Sequence, residues 1–131
     1  MSRGHVSEIH LDTSFLIRAL VPGADEAATL RRWLEDGREV ALSALAWGEF
    51  LCGPLPEEAE AVARRLARRH VPLGTDEAAE AARLFNATGR RRGSFQDCLV
   101  AATAVIAGAE LATCDGPHFR RFTAEGLRLA E

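Results

Sequence analysis

Asp12, Glu49, Asp97 and Asp115 are carboxylates placed where a folded domain gains little from one. Asp12 ends the mostly apolar run from Glu8, and Glu49 interrupts the stretch Ala44–Leu51. Asp97 heads Cys98-Leu99-Val100-Ala101-Ala102, and Asp115 follows Glu110-Leu111-Ala112-Thr113-Cys114. A buried carboxylate is costly unless something pairs with it. Four acids at such junctions suggest convergence on a divalent cation, and hard cations held by oxygen ligands mark phosphoryl-transfer and nuclease chemistry.

Each acid also has an ordinary structural explanation. Asp12 is a good helix cap, although Thr13 and Ser14 already supply capping hydroxyls. Ser94-Phe95-Gln96-Asp97 reads as a capping box with Asp97 as its imperfect acidic member. Asp115 precedes Gly116-Pro117, where an Asp at a turn is commonplace. Glu49 fits a narrow polar stripe shared with Ser43. Only the conjunction of the four points to a site.

The elements that must position them alternate in type. Strands are expected at Glu8–Asp12, Glu39–Ser43, Glu110–Thr113 and Leu127–Leu129, with a brief extended piece at Val71–Leu73. Helices are expected from Thr13 to Pro22-Gly23, over Asp25–Asp36, Ala44–Cys52, Pro56–His70, Thr75 to about Arg90, and Phe95–Ala107. Gly116-Pro117 begins a turn or a short helix. Such alternation favours a single three-layer α/β/α domain, residues 1–131, with a mainly parallel sheet. Functional crevices in these sheets lie beyond the carboxyl ends of the strands. Asp12 and Asp115 fall there, and the first turn holding Asp97 can open on the same rim.

A chain of 131 residues can bury a core without staples. Its formal net charge of −3 excludes a simple basic nucleic-acid coat, though not nucleic-acid binding. There is no lysine, which excludes lysine-dependent phosphate loops, Schiff bases and the receiver-type phosphoacceptor site. Cys52, Cys98 and Cys114 show no CxxC spacing and read as small buried residues of a reducing compartment. Met1–His5 carries no signal-peptide pattern, and the apolar run from Cys98 to Ala109 is too short to span a bilayer. A cytoplasmic protein is the expectation. His10 reads as a packed strand residue, His118 as a surface residue near Asp115, and Trp33 and Trp47 as core or interface anchors. Arg64-Arg65 and Arg68-Arg69 read as a solvated helix face.

Leu11-Asp12-Thr13-Ser14-Phe15-Leu16-Ile17, Ser43–Gly53, Gln96–Ala104 and Ala112–Phe119 resemble, in order, the four acidic motifs of PIN domains. The likeness covers nearly the whole chain and extends to VapC-type toxins of bacterial and archaeal toxin–antitoxin pairs. It implies a metal-dependent endoribonuclease that leaves a 5′-phosphate and a 3′-hydroxyl, a cognate antitoxin partner and a homodimer. By the same likeness Asp12, Glu49, Asp97 and Asp115 form the catalytic set. Asp12, Asp97 and Asp115 would hold Mg2+ or Mn2+, and Glu49 would handle the attacking water. Thr113 matches a hydroxyl position two residues before the last acid. Arg90, Arg91, Arg92 and Arg120-Arg121 flank the last two motifs and are candidates to hold RNA phosphates. A non-catalytic PIN-like module that binds RNA or a partner, and a DNA-directed nuclease, are the rival readings.

Overall fold

Strand β1 (Ile9–Leu11) is buried at every position, as a strand covered on both faces must be. In the computed structural model, which describes residues 8–131, it lies at the centre of a five-stranded sheet. On one side run β2 (Val40–Ser43) and β3 (Arg69–Val71); on the other, β4 (Glu110–Ala112) and β5 (Arg128–Leu129), giving the order β3-β2-β1-β4-β5. Every pairing is parallel, with Ile9 beside Val40 and Glu110, and Leu11 beside Ala112. The residues expected to lead in from Met1 to His5 lie outside those described.

Period-two alternation divides the sheet between two cores. Ile9, Leu11, Val40, Leu42 and Ala112 face one core, closed by Phe15, Leu16, Leu30, Trp33, Ala46, Phe50 and Ala63. These come from α1 (Thr13–Ala19), α2 (Asp25–Glu35), α3 (Ala44–Cys52) and α4 (Ala59–Leu66). Leu111 faces the other core, with Ala81 and Leu84 from α5 (Thr75–Ala87), Cys98, Val100 and Ala101 from α6 (Phe95–Ala107), and Phe119 from α7 (Gly116–Phe119). Phe122, in the 3-10 turn Arg120–Glu125, completes it. The result is the expected α/β/α sandwich. Full burial of a side chain such as Phe50 or Leu111 contributes roughly 1.5–3 kcal/mol.

Two helix ends show how local sequence sets the frame. Gly108 follows α6 with φ of 67°, a left-handed conformation that suits glycine, and its N–H closes on Val105 O at 3.1 Å. Ser43 ends β2 and caps α3, its hydroxyl accepting from Ala46 N at 3.0 Å.

The helix expected over Pro56–His70 is shorter than its composition suggests. It ends at Leu66, Ala67 is extended, and Arg69–Val71 pairs with Ala41–Ser43 as the edge strand. The open side of β2 offers a backbone partner there, which outweighs the helical propensity of arginine; charged residues also suit an exposed edge. Arg68 and Arg69 therefore do not belong to a helix face. The cysteine expectation also fails in part: Cys98 is buried, but Cys52 and Cys114 are exposed. His10 and Trp33 are core residues, 1% and 5% exposed, and Trp33 stacks on Phe15 at 5.5 Å. Burial pushes the His10 imidazole below its ordinary pKa, against the pull of Glu8 at 3.1 Å. Among the described residues no helix is long and apolar enough to cross a membrane.

Candidate active site

The chain leaves β1 toward β2 on one side and later returns to β4 on the other, so a crevice opens beyond the carboxyl ends of β1 and β4. Asp12 is the first residue past β1, and its backbone N–H still donates to Ala112 O at 2.9 Å. It occupies the N-cap position of α1 but its side chain caps nothing. The carboxylate turns into the crevice, only 8% exposed, and Oδ2 accepts from Ser14 Oγ and Thr113 Oγ1, both at 2.9 Å.

A hydroxyl has one proton to give, and that fixes the network. With both protons directed at Asp12, the 3.3 Å contact between Ser14 Oγ and Thr113 Oγ1 is not itself a hydrogen bond. Their lone pairs instead accept backbone donors from the β4 loop: Cys114 N on Ser14 Oγ at 3.1 Å, and Asp115 N on Thr113 Oγ1 at 2.9 Å. Asp12 is thus tied to the turn that carries Asp115. Its other oxygen takes no hydrogen bond from the described residues.

Glu49 reaches the crevice from α3. Thr13 Oγ1 lies 3.1 Å from both Glu49 Oε1 and Ala46 O and shares its proton between them. Thr13 and Ser14, read in the sequence as helix-capping hydroxyls, are therefore the supports of Glu49 and Asp12. Burial pushes the Glu49 carboxyl above its ordinary range; the Thr13 hydroxyl opposes this, while the Asp12 and Asp97 charges add to it.

Asp97 stands in the first turn of α6, half-buried. The expected capping box does not form. Ser94 Oγ donates to Arg91 O at 2.6 Å and no side-chain cap bond is present at this helix start. Asp97 faces Arg121 Nη2 at 3.8 Å and His118 Nδ1 at 3.7 Å. Burial raises its pKa, Arg121 pulls it down, the Asp12 charge raises it and His118 opposes.

Asp115 has a half-exposed side chain, 49%, and meets Asp97 through His118, whose Nδ1 is 3.7 Å from each. Its side chain does not cap α7. The structure therefore brings Asp12, Glu49 and Asp97 into mutual electrostatic reach, with Asp115 attached at the rim. Two basic neighbours, Arg121 and His118, were not singled out by the sequence in these roles. Arg121 is packed over Phe122 at 4.4 Å, donates to His118 O at 2.7 Å, and has two nitrogens, Nε and Nη2, buried without hydrogen-bond partners among the described residues. His118 sits between two acids. Their closeness to Asp115 in sequence was the one available signal. Arg90, Arg91 and Arg92 are exposed in the loop before α6, with Arg90 Nε on Asn86 Oδ1 at 3.0 Å, and Arg120 is exposed beside Gly116.

The donor set is all oxygen, which suits Mg2+ or Mn2+ and not a soft metal. Among the described residues, no group of three or more His, Cys, Asp and Glu side chains is gathered closely enough to hold an ion by itself. Mg2+ keeps several waters and needs only one or two carboxylates, so the oxygen of Asp12 left unbonded, with Asp97 across the crevice, fits it.

The PIN domain family model matches residues 9–124, from the first buried position of β1 through the 3-10 turn behind Asp115. This chain belongs to the PIN-domain family. PIN domains as a group are nucleases that generally need a divalent metal. Among solved structures, this PIN domain is similar to VapBC2 from Rickettsia felis, bound to a DNA fragment from its promoter (TM-score 0.73, 17% identity, 93% of this chain and 96% of that chain). It is also similar to DNA-bound VapBC from Salmonella typhimurium (TM-score 0.72, 19% identity, 95% and 98%). A third is Mycobacterium tuberculosis VapC20, described as a sarcin-ricin loop cleaving toxin (TM-score 0.64, 25% identity, 95% and 99%). No curated protein matches the chain by sequence.

Proposed function

We propose that this PIN domain is a Mg2+- or Mn2+-dependent endoribonuclease and the toxin of a toxin–antitoxin pair. The observation that carries the reading is the preorganised Asp12. A carboxylate with its second oxygen available is fixed by two hydroxyls at 2.9 Å, facing Asp97 and a Glu49 whose pKa is raised. The similarity to a toxin that cleaves the sarcin-ricin loop, at 25% identity over 95% of the chain, supports RNA as the substrate. Similarity to VapBC toxin–antitoxin complexes supports a cognate antitoxin. A homodimer acting in the cytoplasm belongs to the same proposal and rests on the resemblance of the motifs alone.

Asp12 and Asp97 would hold the ion, with Asp115 contributing at the open side directly or through water. When bound, the cation supplies charge neutralisation at the scissile phosphate and lowers the pKa of water. The chain's own residues do the rest. Ser14 and Thr113 keep Asp12 from rotating. Glu49, held by Thr13, accepts the proton of the attacking water, and its raised pKa brings its basicity closer to neutral. Arg121, 3.8 Å from Asp97, favours its ionised form, and His118 bridges Asp97 and Asp115 at 3.7 Å from each. The exposed Arg90, Arg91, Arg92 and Arg120 are positioned to meet phosphates flanking the cut.

The test is to incubate the purified chain with structured RNAs, including a sarcin-ricin loop oligonucleotide, and with DNA. Each is tried with Mg2+, with Mn2+ and with chelator, beside Asp97→Asn. Metal-dependent cleavage of RNA that the substitution abolishes is expected. Cleavage that survives chelation or Asp97→Asn overturns the reading, and RNA binding without any cleavage favours a non-catalytic module.

A further inference from the structure

At the amino ends of β2 and β3, on the rim opposite the carboxylates, lies a concave space of about 530 Å3. Leu34, Val40 and Leu66 form its floor, and Arg38, Arg65, Arg68 and Arg69 surround it, with Glu39 as the one acid among the described residues of its wall. In a chain of net charge −3, four guanidiniums around one cavity leave a local excess of positive charge. They come from three different places: the turn before β2, the last turn of α4, and the segment leading into β3. The helix dipole accounts for an arginine at position 65, within α4. It does not account for Arg68 and Arg69, which lie beyond the helix end.

The four differ in how far they are already neutralised. Arg38 reaches Glu110 at 3.2 Å, and Arg69 reaches Glu8 at 3.3 Å. These pairs hold two guanidiniums against the sheet. Arg65 and Arg68 are exposed and make no hydrogen bond or ion pair with another described residue. A cavity of this size exceeds one phosphate. Beside Arg65 on α4, Arg64 is paired with Glu60 at 3.1 Å. That guanidinium lies 4.9 Å from the Trp47 ring, and the exposed His70 packs edge-on to Trp47 at 4.8 Å. An indole and an exposed imidazole beside the arginines suit a polyanion that also carries bases, because stacking adds to phosphate pairing. An acidic peptide would use only the charges.

We infer that this pocket is a second phosphate-binding site, which holds a single-stranded RNA segment away from the cleavage point. Arg65 and Arg68 supply the free charge, and Arg38 and Arg69 shape the cradle. The inference rests on RNA being the ligand of the domain but not on the domain cutting it.

The experiment compares the full chain with Arg65→Glu/Arg68→Glu, and with the milder Arg65→Gln/Arg68→Gln, in chelator. The anisotropy of a fluorescent single-stranded oligoribonucleotide reports binding over a series of salt concentrations. Thermal melts confirm that these exposed substitutions leave the fold intact. Loss of two phosphate contacts weakens binding about tenfold or more at low salt, and lowers the slope of log affinity against log salt by roughly 1.4. Unchanged affinity and slope overturn the inference even when the chain cleaves RNA with metal. Failure of the native chain to bind RNA overturns it as well. So does equal competition by polyglutamate at matched charge, which would point to an acidic protein partner. Weakened binding by a chain that never cleaves RNA supports the pocket while removing the proposed nuclease function.

Discussion

Thr113 Oγ1 donates to Asp12 Oδ2 at 2.9 Å and accepts from Asp115 N at 2.9 Å, joining two acids from different strands through one hydroxyl. Thr113 and Asp12 are 101 residues apart in sequence but follow neighbouring strands of the sheet. Parallel pairing of β1 with β4 is what makes the contact possible.

Thr113→Val removes this proton and leaves a nearly isosteric side chain. Asp12 then loses one of two clamps and Asp115 N loses its acceptor. We expect RNA cleavage to fall about tenfold to a hundredfold and stability to fall by about 1 kcal/mol, while Thr113→Ser retains most of both. Single-turnover cleavage and urea unfolding of the three chains check this; equal activity in all three would mean that the clamp has no role.

Metal should report on the same carboxylates without any turnover. An ion that binds the folded chain alone raises its melting temperature by mass action. Mn2+ is expected to raise the melting temperature of the native chain and to shift Asp12→Asn/Asp97→Asn little. Calorimetry with and without Mn2+ decides it, and equal shifts in both proteins would exclude a shared site.

The pH dependence follows from Glu49 and Asp97, whose folded-state pKa values are both raised above the ordinary 4.5 and 3.8. The folded chain therefore keeps protons that the unfolded chain has released, and stability falls as pH rises across each window. Acidification through the raised values, down toward the ordinary ones, recovers that stability. Glu49→Gln should accordingly raise metal-free stability near neutral pH and flatten its dependence relative to the native chain. Cleavage runs the other way, because Glu49 must be ionised to take a proton. Urea titrations across mildly acidic pH, paired with rate–pH profiles, test both signs.

Arg121 lowers the Asp97 pKa against its burial. Arg121→Met should let that pKa climb further and move the acidic limb of the rate–pH profile to higher pH. Arg121→Lys should restore part of the shift. A profile that keeps its position while its height falls would instead mean that the arginine only packs over Phe122.

The alternation of elements and the order of the four acidic motifs are written in short stretches of residues. Apolar runs such as Ile9-His10-Leu11 and breakers such as Pro22-Gly23 act over a few residues, so they are legible locally. The expected bounds of α3 and α6 match those observed. Local reading went wrong at Arg68–His70, where a helix-favouring composition yields to the open edge of β2. It also misread Thr13 and Ser14 as caps, because a hydroxyl beside a helix start caps unless something better lies across the fold. Partners across the fold take their place: Glu49 from α3 for Thr13, Cys114 N from the loop after β4 for Ser14, and, around Asp97, Arg121 and His118. Hydrogen bonds and charge coupling depend on distances of a few ångströms, and parallel pairing around β1 sets those distances between residues far apart in the chain.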